Sequence, residues 1–180
     1  MRVSVTLLQY DHGLIRQVVE VMSVVIRNRS AEKHYETLME MVVFQKDFTD
    51  ELHHRKEELV LFPAALENGS LKQGDYEGLI ADHEKARAHI KRMQDLLADA
   101  DIDSFYKEGA SYIEDMLRHI NLEEEQFFPH IEDSFSLDED AELYRRYMEK
   151  NFPANVYPAA ESFANRVQDE VLGPGYFERV

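Results

Sequence analysis

The sequence predicts an all-α protein, an antiparallel up-down four-helix bundle with a C-terminal helical extension. Three observations predict it. Glycine and proline are scarce, 7 and 5 in 180 residues. Apolar residues recur at spacings of three and four over long stretches, as one face of a helix requires. Those stretches are joined by short polar loops, which place consecutive helices side by side.

The first helix, over about residues 4–29, carries Leu8, His12, Ile15, Val19, Met22 and Ile26 on one stripe. The second, about 31–66, is less regular, but His53, Glu57, Val60 and Ala64 share a face, and Glu67-Asn68-Gly69-Ser70 ends it. The third, about 75–99, aligns Tyr76, Leu79, His83, Ala86, Ile90, Met93 and Leu97, with Asp75 placed to cap its N-terminus. The fourth, about 104–132, aligns Tyr112, Met116, His119, Glu123 and Phe127. A shorter helix follows at about 138–150, and Pro158 opens a last one that runs to about 171, before Gly173-Pro174-Gly175. The expected division is a bundle over 1–133 and an extension over 134–180 that packs on it. Phe152, Tyr157, Phe163, Tyr176 and Phe177 give that extension three open roles: lying along the bundle, covering one end of it, or making a homodimer contact.

Composition narrows the function classes. Lys and Arg total 20 against 36 Asp and Glu, a net charge of −16, and such a surface repels nucleic-acid phosphates and anionic lipid. The 44% of hydrophobic residues still suffices for a core. The absence of cysteine removes disulfides, thiolate nucleophiles and iron–sulfur ligation, so any metal must be held by histidine, carboxylate or water. The opening MRVSVTLLQYDHG lacks a secretory apolar region, and no stretch is long enough to span a bilayer, so a cytoplasmic protein is expected.

Histidines interrupt three apolar stripes. A single buried imidazole is ordinary, but these belong to a repeat. HHRKEELVLFP (53–63) and HINLEEEQFFP (119–129) both read H-x3-E-x4-F-P, and each is preceded by an Asp-His, Asp11-His12 and Asp82-His83. Chance supplies about one H-x3-E pair in a chain of this composition, but not the matching Phe-Pro. Two helical hairpins of one design follow, each with a histidine on its first helix and a His/Glu pair on its second. Residues i and i+4 face one way, so four imidazoles and two carboxylates converge. Buried carboxylates without cations beside them are costly or take up protons, and a pair of divalent ions resolves this. The bland alternative places Glu57 and Glu123 at a solvated rim and leaves the Phe-Pro repeats to end helices.

The segments YDHG at 10–13, LHHRKEELVLFPAAL at 52–66, ADHEKARAHI at 81–90 and LRHINLEEEQFFPHI at 117–131 resemble the hemerythrin-like, or HHE cation-binding, family over about 4–132. The resemblance implies a bundle around two iron ions in an oxo- or hydroxo-bridged, non-haem di-iron centre. It assigns His12, His53, His83 and His119 as terminal ligands, with Glu57 and Glu123 bridging. Zinc or manganese would suit the same donors and are the alternatives to iron. Oxygen carriers of this family have a further histidine one turn after His83, where this chain has Arg87. The set of four histidines and two glutamates looks instead like the branch linked to nitric-oxide and iron–sulfur stress and to iron sensing. With four imidazoles, two bridging carboxylates and one bridging oxygen, about one position stays open on each six-coordinate iron. The expected function is handling of, or reaction with, NO, O2 or peroxide; the alternative is an iron- or oxygen-sensing module without turnover.

Other residues invite weaker readings. His54 with Glu58 is expected as a surface pair or a group behind the ligands, His130 at a helix end, His34 exposed, and His89 on another face. Asp50 and Asp115 could accept the ring N–H of His53 and His119. Tyr112 reads as a core tyrosine with a wet tip that could reach the pocket, and Met22, Met93 and Met116 as gap-fillers. Arg87 either faces solvent or leans over an open metal position.

Overall fold

The computed structural model describes residues 2–149 and 156–176, and among them it is wholly helical, with six helices. Helix α1 is Val3–Arg27. Helix α2 begins as Tyr35–Phe44, passes through π-helical stretches Gln45–His54 and Glu57–Leu61, and ends as Phe62–Glu67. Helix α3 is Gln73–Ala98, and α4 is Ile102–Leu122 continued through a π stretch Glu123–Phe127 into Phe128–Ser134. Helices α5, Leu137–Glu149, and α6, Val156–Leu172, form the extension. Phe152 and Phe177 lie outside the described residues.

The turns close by local backbone bonding. Between α1 and α2, Arg29 takes a left-handed conformation (φ 49°) while the amides of Arg29 and Ser30 bond back to Ile26 and Val25. Between α3 and α4, Ala100 (φ 56°) repeats this, with the amides of Ala100 and Asp101 on Leu97 and Leu96. Such terminations favour glycine, which Gly69 supplies after α2. Asp101 caps α4 by accepting from the Ser104 amide at 3.1 Å. Asp75 does not cap α3: the cap position is Lys72, and Asp75 lies within the first turn.

The first four helices bury two apolar cores with a polar layer between them. Along α1, Leu8 belongs to one core and Ile15 to the other, with His12 between. The order reverses in α2, where Leu52 precedes and Val60 follows the His53–Glu57 segment, and it alternates again through Leu79, His83 and Ala86 in α3 and Met116, His119 and Phe128 in α4. The extension joins both cores on the α1 side. Ala160, Ala164 and Val167 of α6 bury in the core that holds Ile15, and Leu143 and Tyr147 of α5 in the one that holds Leu8. Asp140 of α5 also supplies the cap that α1 lacks, its carboxylate accepting from the Val3 amide (2.8 Å), the Ser4 amide (3.0 Å) and the Ser4 hydroxyl (2.5 Å). No helix among the described residues is long and apolar enough to cross a membrane.

Candidate metal centre

Each half of the repeat places its glutamate at the start of a π stretch whose end is the Phe-Pro. Glu57 opens Glu57–Leu61 before Phe62-Pro63, and Glu123 opens Glu123–Phe127 before Phe128-Pro129. Proline has no amide hydrogen and crowds the preceding turn of an α-helix, and a widened turn ahead of it relieves both. The Phe-Pro pairs therefore do not end helices. Their phenylalanines face inward: Phe128 stacks on His12 with ring centroids 5.4 Å apart, and Phe62 on His83 at 5.9 Å.

His12, His53, Glu57, His83, His119 and Glu123 are all brought together and all buried. Two groups of four have their donor atoms within 4.8 Å of one another: His12, His53, Glu57 and Glu123, and Glu57, His83, His119 and Glu123. Both carboxylates are common to the two groups. Glu123 reaches one imidazole pair with each oxygen, Oε2 lying 3.2 Å from His12 Nε2 and Oε1 3.4 Å from His119 Nε2. Glu57 Oε2 lies 3.5 Å from both His53 Nε2 and His83 Nε2.

The opposite nitrogen of each ring meets a carboxylate from a neighbouring helix. His12 Nδ1 lies 2.8 Å from Glu124, His53 Nδ1 3.3 Å from Asp11, and His83 Nδ1 2.8 Å from Glu58. His119 Nδ1 is 3.5 Å from Asp82, an ion-pair distance rather than a hydrogen bond. A carboxylate draws the ring proton to Nδ1 and leaves Nε2 as a lone-pair donor. Nε2 atoms then face each other at 3.1 Å (His12 and His53) and 3.0 Å (His83 and His119). Facing lone pairs repel unless a proton or a shared cation lies between them.

The glutamates pose the same problem. Neither oxygen of Glu57 or Glu123 has a hydrogen-bond partner, although both side chains are fully buried. Burial, and then the nearby Glu123, pushes the Glu57 carboxyl well above the usual carboxylate range, while His119 and His12 overcome burial and hold Glu123 below it. Burial, reinforced by neighbouring imidazoles, keeps His53 and His83 well below the ordinary histidine value and so neutral. Imidazoles whose Nε2 atoms face each other and orphaned carboxylates make a donor set that fits divalent cations.

Several surrounding residues depart from the sequence expectations. Asp50 and Asp115 do not serve His53 and His119; Asp115 pairs with Lys85 and His89 instead. The carboxylates that do serve, Asp11, Asp82, Glu58 and Glu124, were marked by the doubled Asp-His and by the Glu-Glu that each H-x3-E-E contains. Lys56 is fully buried, its Nζ donating to Asp11 Oδ2 and to the Tyr157 hydroxyl of α6, both at 2.6 Å. Burial lowers its pKa, against the pull of Asp11. Arg87 is half-buried; its Nε donates to Asp50 at 2.7 Å and its Nη2 to Glu58 at 2.5 Å. The Tyr112 tip is dry, its hydroxyl donating to Gln45 Oε1 at 2.8 Å. His34 is half-buried rather than exposed, and His130 is exposed. His54 is no surface pair: it is fully buried, pushed down to about 4 by burial, and has its ring against His83.

Compared with known protein families, residues 3–131 match the hemerythrin HHE cation binding domain. Searches of curated proteins and of solved structures found no match.

Proposed function

The chain belongs to the hemerythrin HHE cation-binding family, and on that premise we propose that it binds two irons in an antiparallel, up-down four-helix bundle and handles or reacts with NO, O2 or peroxide. Residues 1–133 are the bundle in this reading, and the helices beyond are an extension docked on it. The alternating order of the two cores along successive helices supports the topology.

The observation that carries the function is that two four-donor groups share both carboxylates. His12 and His53 would hold one ion, His83 and His119 the other, and Glu57 and Glu123 would bridge them. Bound iron would supply reversible ligand binding and one-electron redox chemistry. The residues around it do the rest. Asp11, Glu58 and Glu124 hold the ring protons of their histidines at Nδ1, and Asp82 faces that of His119, so that the Nε2 atoms stay available and oriented. Phe62, Phe128 and the two flanking cores exclude bulk water from the donor layer.

Metal analysis of anaerobically purified protein tests this directly, with close to two irons per chain expected and less in Glu57→Ala or Glu123→Ala. A preparation free of transition metal, with melting unchanged by added Fe(II), refutes it. A sensing module without turnover is the second reading, favoured because the donors come from four helices, so that occupancy is linked to folding. Turnover with a reductant separates the two.

A further inference from the structure

Each of the four carboxylates behind the imidazoles is itself gripped by a cation. Arg16 donates to Glu124 at 3.0 Å, Arg87 to Glu58 at 2.5 Å, and Arg118 to Asp82 at 3.0 and 3.1 Å. These three arginine side chains are between 31% and 51% exposed. The fourth cation is Lys56, which is fully buried and donates to Asp11 Oδ2 at 2.6 Å.

An arginine at the surface keeps its charge in water while it pins a carboxylate, but a buried ammonium must exchange its water for fixed acceptors. For Lys56 the extension supplies one: its Nζ donates to the Tyr157 hydroxyl of α6 at 2.6 Å, and that hydroxyl in turn donates to Asp11. Asp11 Oδ2 also faces His53 Nδ1 at 3.3 Å, so a single oxygen carries both the lysine and the imidazole. A continuous line of polar contacts therefore runs from α6 through Tyr157, Lys56 and Asp11 to His53. The repeat does not copy it. Aligning His53 with His119 sets Leu122 opposite Lys56, and Asp82, the counterpart of Asp11, is held by Arg118 from within the bundle.

Resting on the two-iron reading, we infer that Tyr157 is a positioning residue of the metal centre: through Lys56 and Asp11 it fixes the His53 ring, so that binding of the ion held by His12 and His53 is coupled to docking of α6. The ion held by His83 and His119 is independent of the extension. Such coupling is reciprocal, and whatever factor the Tyr157 contact adds to the affinity for the ion, the ion adds to the docking of α6. The extension thereby carries the occupancy of one half of the centre to the outside of the bundle.

The test is an anaerobic titration of the full-length protein with Fe(II) against a competing chelator, with hydrogen exchange of the α6 amides followed before and after loading. Tyr157→Phe keeps the ring edge-on to Tyr10 and Phe48, at centroid distances of 5.6 and 6.3 Å, and removes only the hydroxyl. It should bind one iron as the parent does and the other ~10-fold more weakly, the scale of a lost partner behind a ligand. Loading should slow exchange in α6 more in the parent than in the variant, by that same factor. Parent-like affinity for both irons in the variant overturns the inference alone. An equal loss at both irons overturns it too, since that marks a general loss of packing, and so does α6 exchange that loading slows equally in parent and variant. A parent that takes no iron overturns the reading beneath it and the inference together.

Discussion

Replacing Asp11 by Asn strips a fully buried lysine of its carboxylate. Lys56 Nζ donates to Asp11 Oδ2 at 2.6 Å, and both side chains are about as inaccessible as the core leucines. A pair taken out of water this completely gains little over an apolar pair, but breaking it leaves one charge buried without its counter-charge at hydrogen-bond distance, at about 3–5 kcal/mol. Asp11→Asn or Lys56→Met alone should therefore lower the stability of the metal-free protein by that amount. Domains of this size lose ~2–4 °C of Tm per kcal/mol, so each falls by roughly 6–20 °C. The double variant removes both charges and should recover most of the loss, giving a coupling energy of at least ~2 kcal/mol in a double-mutant cycle. Urea unfolding followed by circular dichroism supplies the four free energies. Single effects that simply add would mean that Lys56 and Asp11 do not depend on each other, and the account of the buried pair fails.

Asp140→Ala removes the cap that α5 lends to α1 and should cost about 1–2 kcal/mol. Bonds from Ser4 and the Val3 amide hold the Asp140 carboxyl below the usual range in spite of burial; its contribution is then present above the ordinary aspartate value and lost as pH falls through the lowered one, so parent and variant should converge in acid unfolding. Ala100→Gly relieves a left-handed alanine and should raise stability by about 0.5–1 kcal/mol in thermal melts; a fall in Tm contradicts the turn geometry. Tyr112→Phe deletes the bond to Gln45 at about 1 kcal/mol and should leave metal content unchanged, because that hydroxyl ends in the core; lost iron would return it to the site. Saturating Fe(II) at ~1,000 times its Kd should stabilise the folded chain by ~4 kcal/mol, and apo and loaded forms that melt together at neutral pH would contradict the donor assignment.

What could be read from the sequence divides at the π stretches. Up to them the helical stripes hold: Leu8, Ile15, Leu79, Met93 and Met116 are buried where the period of three and four puts them. Across them the expected step of four is one short. The stripe through Val60 reaches Ala65 rather than Ala64, and that through Glu123 reaches Phe128 rather than Phe127. The same widening turns His53 and His54 inward together, which an ordinary turn of 3.6 residues disfavours. Lys56 was missed for a different reason. A lysine beside Arg55 reads as solvated, and only the fold brings it to Asp11 and Tyr157. The carboxylates behind the four imidazoles come from the next helix rather than from one turn away on the same helix. The Asp140 cap joins residues 136 and 137 positions apart, beyond any local pattern.

The four supporting carboxylates run in one direction around the bundle. Asp11 of α1 serves His53 of α2, Glu58 of α2 serves His83 of α3, Asp82 of α3 serves His119 of α4, and Glu124 of α4 serves His12 of α1. The sequence of contacts closes on itself: three of its four links join helices that a loop also connects, and the fourth does not. Each helix is thus tied to two others through the donor layer, including α4 to α1, which no single loop joins. The covalent turns set the order in which the helices meet, but once met they are held from within. A chain nicked at the exposed Asn68-Gly69 turn would accordingly keep its two pieces clasped, as a hoop keeps its staves after one has been sawn through at the end.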